Sequence, residues 1–201
     1  MPEKRIKTKT NTKTRSNGQL ASGRKPASNG QLASSRNPGS NGQTITRRRK
    51  ILVRDSRIHG RGVYALRAIR EGERIIEYRG ERITWREADR RPPSDPDDPH
   101  HTFYFSLDDG RHVIDANVGG NSARWINHSC EPNCETEETD DGRVYIQALR
   151  DIRRGEELSY DYCLVVDERL TPTLKRQYQC RCGSLHCRGT MLALKKRNGV
   201  R

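Results

Sequence analysis

Apolar residues occur in short runs along the C-terminal three quarters of this chain, and Gly, Asp and Pro separate the runs. Ile51-Leu52-Val53 predicts a first strand. Gly60-Arg61-Gly62 predicts a turn into a second, Val63-Tyr64-Ala65-Leu66, and Arg74-Ile75-Ile76-Glu77-Tyr78 a third. Thr84-Trp85-Arg86-Glu87 has the spacing in which a Thr hydroxyl and a Glu carboxylate satisfy each other's backbone N–H groups, so a short helix is expected through about Arg90. Residues 91–101, rich in Pro and Asp, read as a loop. Phe103-Tyr104-Phe105-Ser106-Leu107 and Arg111-His112-Val113-Ile114-Asp115 flank Asp108-Asp109-Gly110, a hairpin signal because Gly takes up a positive φ without strain. Asp141-Gly142 repeats that signal before Val144-Tyr145-Ile146. One phrase occurs twice, Ala65-Leu66-Arg67-Ala68-Ile69-Arg70-Glu71-Gly72-Glu73 and Ala148-Leu149-Arg150-Asp151-Ile152-Arg153-Arg154-Gly155-Glu156, as one strand–turn–strand solution used in two places. Many short strands, frequent turns and little helix predict a mainly β fold of small sheets with few short helices.

Residues 1–50 break this pattern. Ser16-Asn17-Gly18-Gln19-Leu20-Ala21-Ser22 returns as Ser28-Asn29-Gly30-Gln31-Leu32-Ala33-Ser34, and a shorter copy starts at Ser40-Asn41-Gly42-Gln43. The 12-residue period is too short and polar for a solenoid unit. Every aromatic residue lies between Tyr64 and Tyr178, so this stretch cannot bury enough apolar surface to offset the chain entropy lost on folding. A disordered, basic, repeat-containing tail is expected over 1–50, and an ordered body with one core beyond it.

Charge sharpens the division. Thirteen of the 39 Lys and Arg residues lie in 1–50 with a single acid, Glu3, which leaves 26 basic and 25 acidic residues beyond. The net charge of +13 therefore belongs to the tail. Such a tail can serve as a solvated arm, as a weak contact to nucleic-acid phosphates through counterion release, or, at Arg47-Arg48-Arg49-Lys50, as a localisation signal. No apolar run approaches the roughly 20 residues of a membrane span. No apolar stretch follows the basic N-terminus, so no secretory signal and no membrane partner is expected. The six cysteines, Cys130, Cys134, Cys163, Cys180, Cys182 and Cys187, fit metal binding in a reducing, intracellular compartment better than a disulfide framework.

Cys180-x-Cys182-x4-Cys187 brings three thiols onto one short segment. A structural zinc wants four N or S ligands, so a fourth must come from elsewhere, with Cys130, Cys134 and His186 as candidates. Gly60-x-Gly62 lets a backbone approach a ligand closely but lacks the third glycine and the opening helix of a dinucleotide site. Asn127 can both donate and accept, which suits an amino-acid head group. Tyrosine rings exclude water while their hydroxyls orient a polar atom.

Trp125-Ile126-Asn127-His128-Ser129-Cys130, followed by Tyr160-Asp161-Tyr162 and then by Cys180-Arg181-Cys182-Gly183-Ser184-Leu185-His186-Cys187, resembles the SET-domain protein-lysine methyltransferases with a post-SET zinc segment. The resemblance covers residues 51–192 and implies a SET-domain-like β-clip of small curved sheets with a pseudoknot, a SET domain over 51–165 and a Cys-rich segment with a C-terminal tail over 166–201. It implies S-adenosyl-L-methionine bound by Gly60, Arg61, Gly62, Asn127, His128, Tyr162 and Leu192. It gives Tyr162 the catalytic position, Tyr104 a place in the lysine channel, and Tyr160 control of how many methyl groups fit, which favours mono- or dimethylation. It makes Cys130 the fourth zinc ligand beside Cys180, Cys182 and Cys187. Core packing is the expectation for Tyr64, Tyr78 and Tyr145.

Loop acids such as Asp95, Asp97, Asp98, Glu135, Glu137, Glu138, Asp140 and Asp141 are solvated tips or, if they border a peptide groove, would favour a basic substrate such as a histone tail or a histone-like protein. The Cys-rich segment that precedes some SET domains has no counterpart before Ile51, which is the expectation for a small form, nuclear in a eukaryotic host or at the nucleoid of a bacterium. The basic tail is itself a candidate acceptor in cis. The rival reading is a non-catalytic, zinc-stapled module that holds nucleic acid or basic protein through the tail.

Overall fold

The structure, a computed structural model, describes residues 6–8, 49–93, 102–166 and 169–194. The remainder of the tail, loop residues 94–101 with Asp95, Asp97 and Asp98, and the terminal 195–201 lie outside the described residues. The described residues from Lys50 onward belong to one compact unit together with the first strand; of a second unit, 13–49, only Arg49 is described. In chain order the strands are β1 (Ile6–Thr8), β2 (Ile51–Asp55), β3 (Arg61–Ala65), β4 (Arg74–Tyr78), β5 (Glu81–Thr84), β6 (Tyr104–Ser106), β7 (His112–Asp115), β8 (Asn127–His128), β9 (Cys134–Glu138), β10 (Val144–Ala148), β11 (Ser159–Tyr160) and β12 (Leu164–Val166). Helix is confined to one turn at Trp85–Ala88, a 3₁₀ turn at Ser122–Trp125 and Pro172–Gln177. No described helix is long and apolar enough to cross a membrane.

The small sheets form where the pattern predicts. β2 and β3 pair antiparallel with Val53 opposite Val63. β6 and β7 make the hairpin across Asp109-Gly110, and β5 joins the other edge of β7. β10 is central between β4 and β9, and its side chains alternate between buried (Val144, Ile146, Ala148) and half-buried, the period of a strand with one covered face. Thr84 caps the Trp85 turn with both bonds of the capping box in place. The two copies of the repeated phrase face each other: Ile69 and Ile152 exchange backbone N–H···O bonds of 2.9 and 2.8 Å, and each side chain is 1% exposed. A local repeat is thus used as a long-range pairing in the main core, beside Val63, Phe105, Ile146 and Leu158.

Two features depart from the expectations. The helix Pro172–Gln177 escaped the apolar pattern because it buries Leu174 alone, although Thr171 caps it and Pro172 opens it. Its Leu174, with Tyr178 and Leu192, forms a separate small core that anchors the C-terminal segment. The expected disorder over 1–50 is corrected at Ile6–Thr8, whose backbone pairs antiparallel with Leu164–Val166. Three residues need no core of their own when an existing strand edge supplies their hydrogen bonds.

The pairing that matters most for the site is parallel. β8 lies beside β11, with Asn127 opposite Ser159 and His128 opposite Tyr160. A parallel pair requires a crossover connection, here the β9–β10 hairpin, and so segments thirty residues apart in the chain lie side by side.

Candidate active site

Gly60 has φ of +43°, a left-handed conformation that glycine adopts without strain. A Cβ on Gly62 would run into the Glu157 carboxylate and Ser56, so the second glycine is needed for close packing. The Asn127 side-chain amide donates into this turn, to the Arg61 carbonyl at 2.9 Å, the His59 carbonyl at 3.3 Å and Glu157 Oε1 at 3.0 Å. Glu157 also accepts from Ser56 Oγ at 2.7 Å and, through Oε2, from the Tyr64 hydroxyl at 2.7 Å. One carboxylate therefore ties together β2, β3, β8 and the segment before β11. Asn127 holds the turn with its NH₂ group, which leaves its backbone and Oδ1 as the atoms able to meet a ligand.

His128 is 3% exposed, and burial pushes its pKa down to about 4 despite the nearby Asp161 carboxylate. The imidazole is thus neutral at physiological pH. Its Nδ1 accepts the Tyr162 backbone N–H at 3.1 Å, which sets the tautomer with hydrogen on Nε2, facing Cys130 Sγ at 3.5 Å. His128 in this way joins the tyrosine segment to the cysteine cluster.

Tyr162 packs against Tyr160 with ring centroids 4.9 Å apart, and its hydroxyl donates to the Ile126 carbonyl at 2.8 Å. Burial, with the Glu157 charge adding to it, raises its pKa well above the usual phenol value, and burial does the same for Tyr160. Both stay protonated. The Tyr162 hydroxyl hydrogen is committed to Ile126, so its oxygen meets the cavity as an acceptor. Tyr78 donates to the Phe103 carbonyl at 3.0 Å and also faces the cavity, which extends the role expected of it beyond core packing. Cys163, directly after Tyr162, holds a φ of +44°, uncommon for a residue with a side chain, and its N–H is bonded to Asp161 Oδ1 at 3.0 Å.

These groups surround one cavity of about 430 Å³. Gly60, Arg61, Asn127, His128, Tyr104, Tyr160 and Tyr162, all named from the sequence, line it. Gly62 lies behind the wall, against Glu157. Leu192 is fully buried in the C-terminal core, and its neighbour Met191, with Tyr178, lines the cavity instead. Trp125, Arg124 and Phe103 complete an aromatic and cationic wall: Phe103 and Trp125 rings meet edge-on at 5.0 Å, and Arg124 stacks on Trp125 at 4.7 Å.

The Sγ atoms of Cys130, Cys180, Cys182 and Cys187 all lie within 4.8 Å of one another. Cys130 stands 3.7 Å from Cys180 and 3.8 Å from Cys187, too far for disulfides. A tetrahedral zinc with bonds of about 2.3 Å separates its sulfur ligands by roughly 3.8 Å, so the four thiols fit that ion. Backbone N–H groups of Cys182, Arg188 and Gly189 point at three of the sulfurs at 3.4 Å, as donors to thiolates do. The other two candidates are elsewhere. Cys134 is buried, which pushes its thiol up to about 12, and His186 is bonded to Glu131 at 2.6 Å.

Arg188 and Asp161 form a two-pronged ion pair with both bonds at 2.6 Å. Burial alone would raise the Asp161 carboxyl, and the Arg188 hydrogen bonds with the Cys163 N–H hold it below its ordinary value. Glu157, Arg188 and the role of Asp161 escaped the sequence reading. The signal available was an unexplained acid beside each named motif, Glu157 before Leu158 and Asp161 between the tyrosines. Of the loop acids, Glu137 is bonded to Arg74 at 2.8 Å, Glu138 to the Asp108 N–H at 2.8 Å and Asp141 to Arg143 at 2.7 Å, so these three serve the fold.

The family model of the SET domain matches residues 60–163, which span every cavity motif except the C-terminal segment. Over 136 residues, 66% of this chain, the sequence is 42% identical to histone-lysine N-methyltransferase trithorax of Drosophila virilis and 40% identical to histone-lysine N-methyltransferase 2B of Homo sapiens. Over 146 residues, 71% of the chain, it is 40% identical to the H3 lysine-4 specific histone-lysine N-methyltransferase of Saccharomyces cerevisiae. The chain spans only 3%, 5% and 13% of the lengths of these three relatives.

Proposed function

The chain belongs to the SET-domain family, and from that premise we propose that it is an S-adenosyl-L-methionine-dependent protein-lysine N-methyltransferase that mono- or dimethylates a basic protein such as a histone. The observation that carries this reading is the convergence of the Gly60 turn, Asn127, His128, Tyr160 and Tyr162 on a single cavity. Its volume of about 430 Å³, a backbone turn open to close approach and an aromatic wall suit a nucleoside-sized ligand with an amino-acid end. When bound, that donor supplies a sulfonium methyl already activated for transfer.

The residues of this chain then have to align a neutral amine, which is mainly a matter of proximity and orientation. A free lysine titrates near about 10.4, and an apolar channel beside a positive charge lowers that value. Tyr162, its hydrogen held by Ile126, accepts a hydrogen bond from the amine and aims its lone pair. Tyr104 and Phe103 exclude water at the channel side. The Tyr160 hydroxyl takes up room beside Tyr162, which is the basis for fewer than three methyl groups. Zinc at Cys130, Cys180, Cys182 and Cys187 would staple the C-terminal segment, with Met191 and Tyr178, against the cavity.

One relative is named for H3 lysine 4, which makes the H3 tail the first substrate to try. Such a substrate would put the protein at chromatin, in the nucleus of a eukaryotic cell. Weak nucleic-acid contact through residues 1–50 would hold it there. The non-catalytic module is not favoured, since a pure binder has no use for the glycine turn and the buried tyrosine pair on one cavity. Incubation with methyl-labelled donor and core histones tests the proposal. Label on histone lysines, lost in Tyr162→Phe, is expected, and wild-type labelling by that variant would refute the mechanism.

A further inference from the structure

β1 is the described part of the basic tail, and its position is specific. Ile6, Lys7 and Thr8 stand opposite Val166, Val165 and Leu164 of β12, and β1 also lies against β6. Both neighbours border the cavity. Leu164 opens β12 two residues after Tyr162, Tyr104 opens β6, and both line the wall with Tyr162. β12 pairs with no other named strand, so without β1 it would be an exposed edge, and an edge of this kind takes up an extended segment through main-chain bonds. β1 therefore fills, with a lysine at its centre, a strand-shaped place that adjoins the catalytic tyrosine.

We propose that the protein methylates its own N-terminal tail at Lys7, with β1 as an intramolecular substrate segment that competes with other substrates for the β12 edge. The inference rests on the methyltransferase reading above. In the reaction the Lys7 amine first gives up a proton to solvent. Its nitrogen then bonds to the methyl carbon as the carbon–sulfur bond breaks, the electron pair passes to sulfur, and methylammonium and a neutral thioether result. Register matters because residues 7–14 read Lys-Thr-Lys-Thr-Asn-Thr-Lys-Thr. A slip of two residues along β12 brings Lys9 to the place of Lys7 with threonine again on its C-terminal side, whereas a slip of one reverses the strand faces. Lys9 is thus the secondary acceptor. A tethered segment also sets a local concentration that a free peptide must exceed, so the tail restrains activity on other proteins.

The test uses the full chain, incubated with methyl-labelled donor alone and with core histones, followed by tandem mass spectrometry of the tail. Label at Lys7, with a minor share at Lys9 and a rate per molecule independent of protein concentration, is expected. The K7R/K9R variant should lose the tail label and keep histone methylation. Ile6→Pro with Thr8→Pro removes two backbone donors from β1, and should bind a fluorescently labelled histone H3 tail peptide several-fold more tightly without any methyl donor present. Histones labelled while residues 1–12 stay unlabelled, or a tail rate that rises with protein concentration, would overturn the inference and leave the enzyme reading intact. Unchanged peptide affinity in the proline variant would overturn the competition. Absence of label on both histones and tail would bring down the enzyme reading and this inference with it.

Discussion

Arg188 grips Asp161 through two parallel bonds of 2.6 Å, and so fixes the segment after the last cysteine to the loop between the two cavity tyrosines. Arg188 also donates from Nε to the Thr190 carbonyl at 3.0 Å, two residues before the buried Leu192. The pair is three quarters or more buried on both sides. Arg188→Lys keeps the charge but loses the fork, and should cost roughly 1–3 kcal/mol of stability. Thermal unfolding reads the loss, and hydrogen exchange should show it concentrated in residues 172–194. An effect spread evenly over the molecule would mean that the pair does not anchor this segment.

Glu157 is the only acceptor named for the Tyr64 and Asn127 side chains that reaches both. Glu157→Ala would leave the Tyr64 hydroxyl, the Ser56 hydroxyl and one Asn127 donor short of partners, at a cost of about 1–3 kcal/mol. Because the same carboxylate backs Gly62, the affinity for the methyl donor should fall by at least about tenfold, a change of about 1.4 kcal/mol. Calorimetric titration of the donor against both proteins checks this. Equal affinities would remove Glu157 from the cofactor turn.

Tyr162→Phe deletes the bond to the Ile126 carbonyl at a cost near about 1 kcal/mol in folding, yet should lower kcat by about 100-fold, since the amine loses its orienting acceptor. Tyr160→Phe should keep the rate of the first transfer and add trimethyl-lysine to the product mixture, read by mass spectrometry. A mixture unchanged from wild type would separate Tyr160 from product control.

Metal content and exchange test the cysteine cluster. One zinc per chain is expected by elemental analysis. Stripping it, or Cys182→Ser, should release residues 178–192 to rapid hydrogen exchange while the β4–β10–β9 sheet stays protected, because the two regions have separate cores. Cys134→Ser, at a buried thiol outside the cluster, should retain the metal.

The pH profile follows from the raised tyrosines. Burial holds Tyr162 and Tyr160 protonated through the working range, so neither contributes a loss of activity on the alkaline side. The acceptor amine does titrate, and kcat/KM should climb with pH toward about 9, as the neutral fraction of a group near about 10.4 grows. His128, already neutral above its lowered value of about 4, adds no step between pH 6 and 9. A bell with an alkaline limb below pH 9 would contradict this assignment.

Local chemistry was readable along the chain wherever it is settled by neighbours in sequence. Thr84 and Glu87 close a capping box three residues apart, Asp109-Gly110 turns a hairpin, and residues 144–148 alternate between core and surface. The motif residues were readable too, since Gly60, Asn127, His128, Tyr160, Tyr162 and the four clustered cysteines carry distinctive spacings. Leu192 shows the limit of that reading. Pattern marks an apolar position, but which of Met191 and Leu192 faces a cavity depends on how the segment docks against Leu174 and Tyr178.

By its own pattern, then, the sequence determined a mainly β chain, the turns that bend it, and the side chains able to do chemistry. Tertiary structure decided which of those side chains meet. The parallel pairing of β8 with β11, the Glu157 hub, the Arg188–Asp161 fork, the choice of Cys130 over Cys134 and His186, and the docking of Ile6–Thr8 on β12 all join residues far apart in the chain. Periodicity and capping report the few residues within one turn or one strand. Contacts across thirty to 160 positions depend on how separate sheets close around a common core, and no local spacing encodes that.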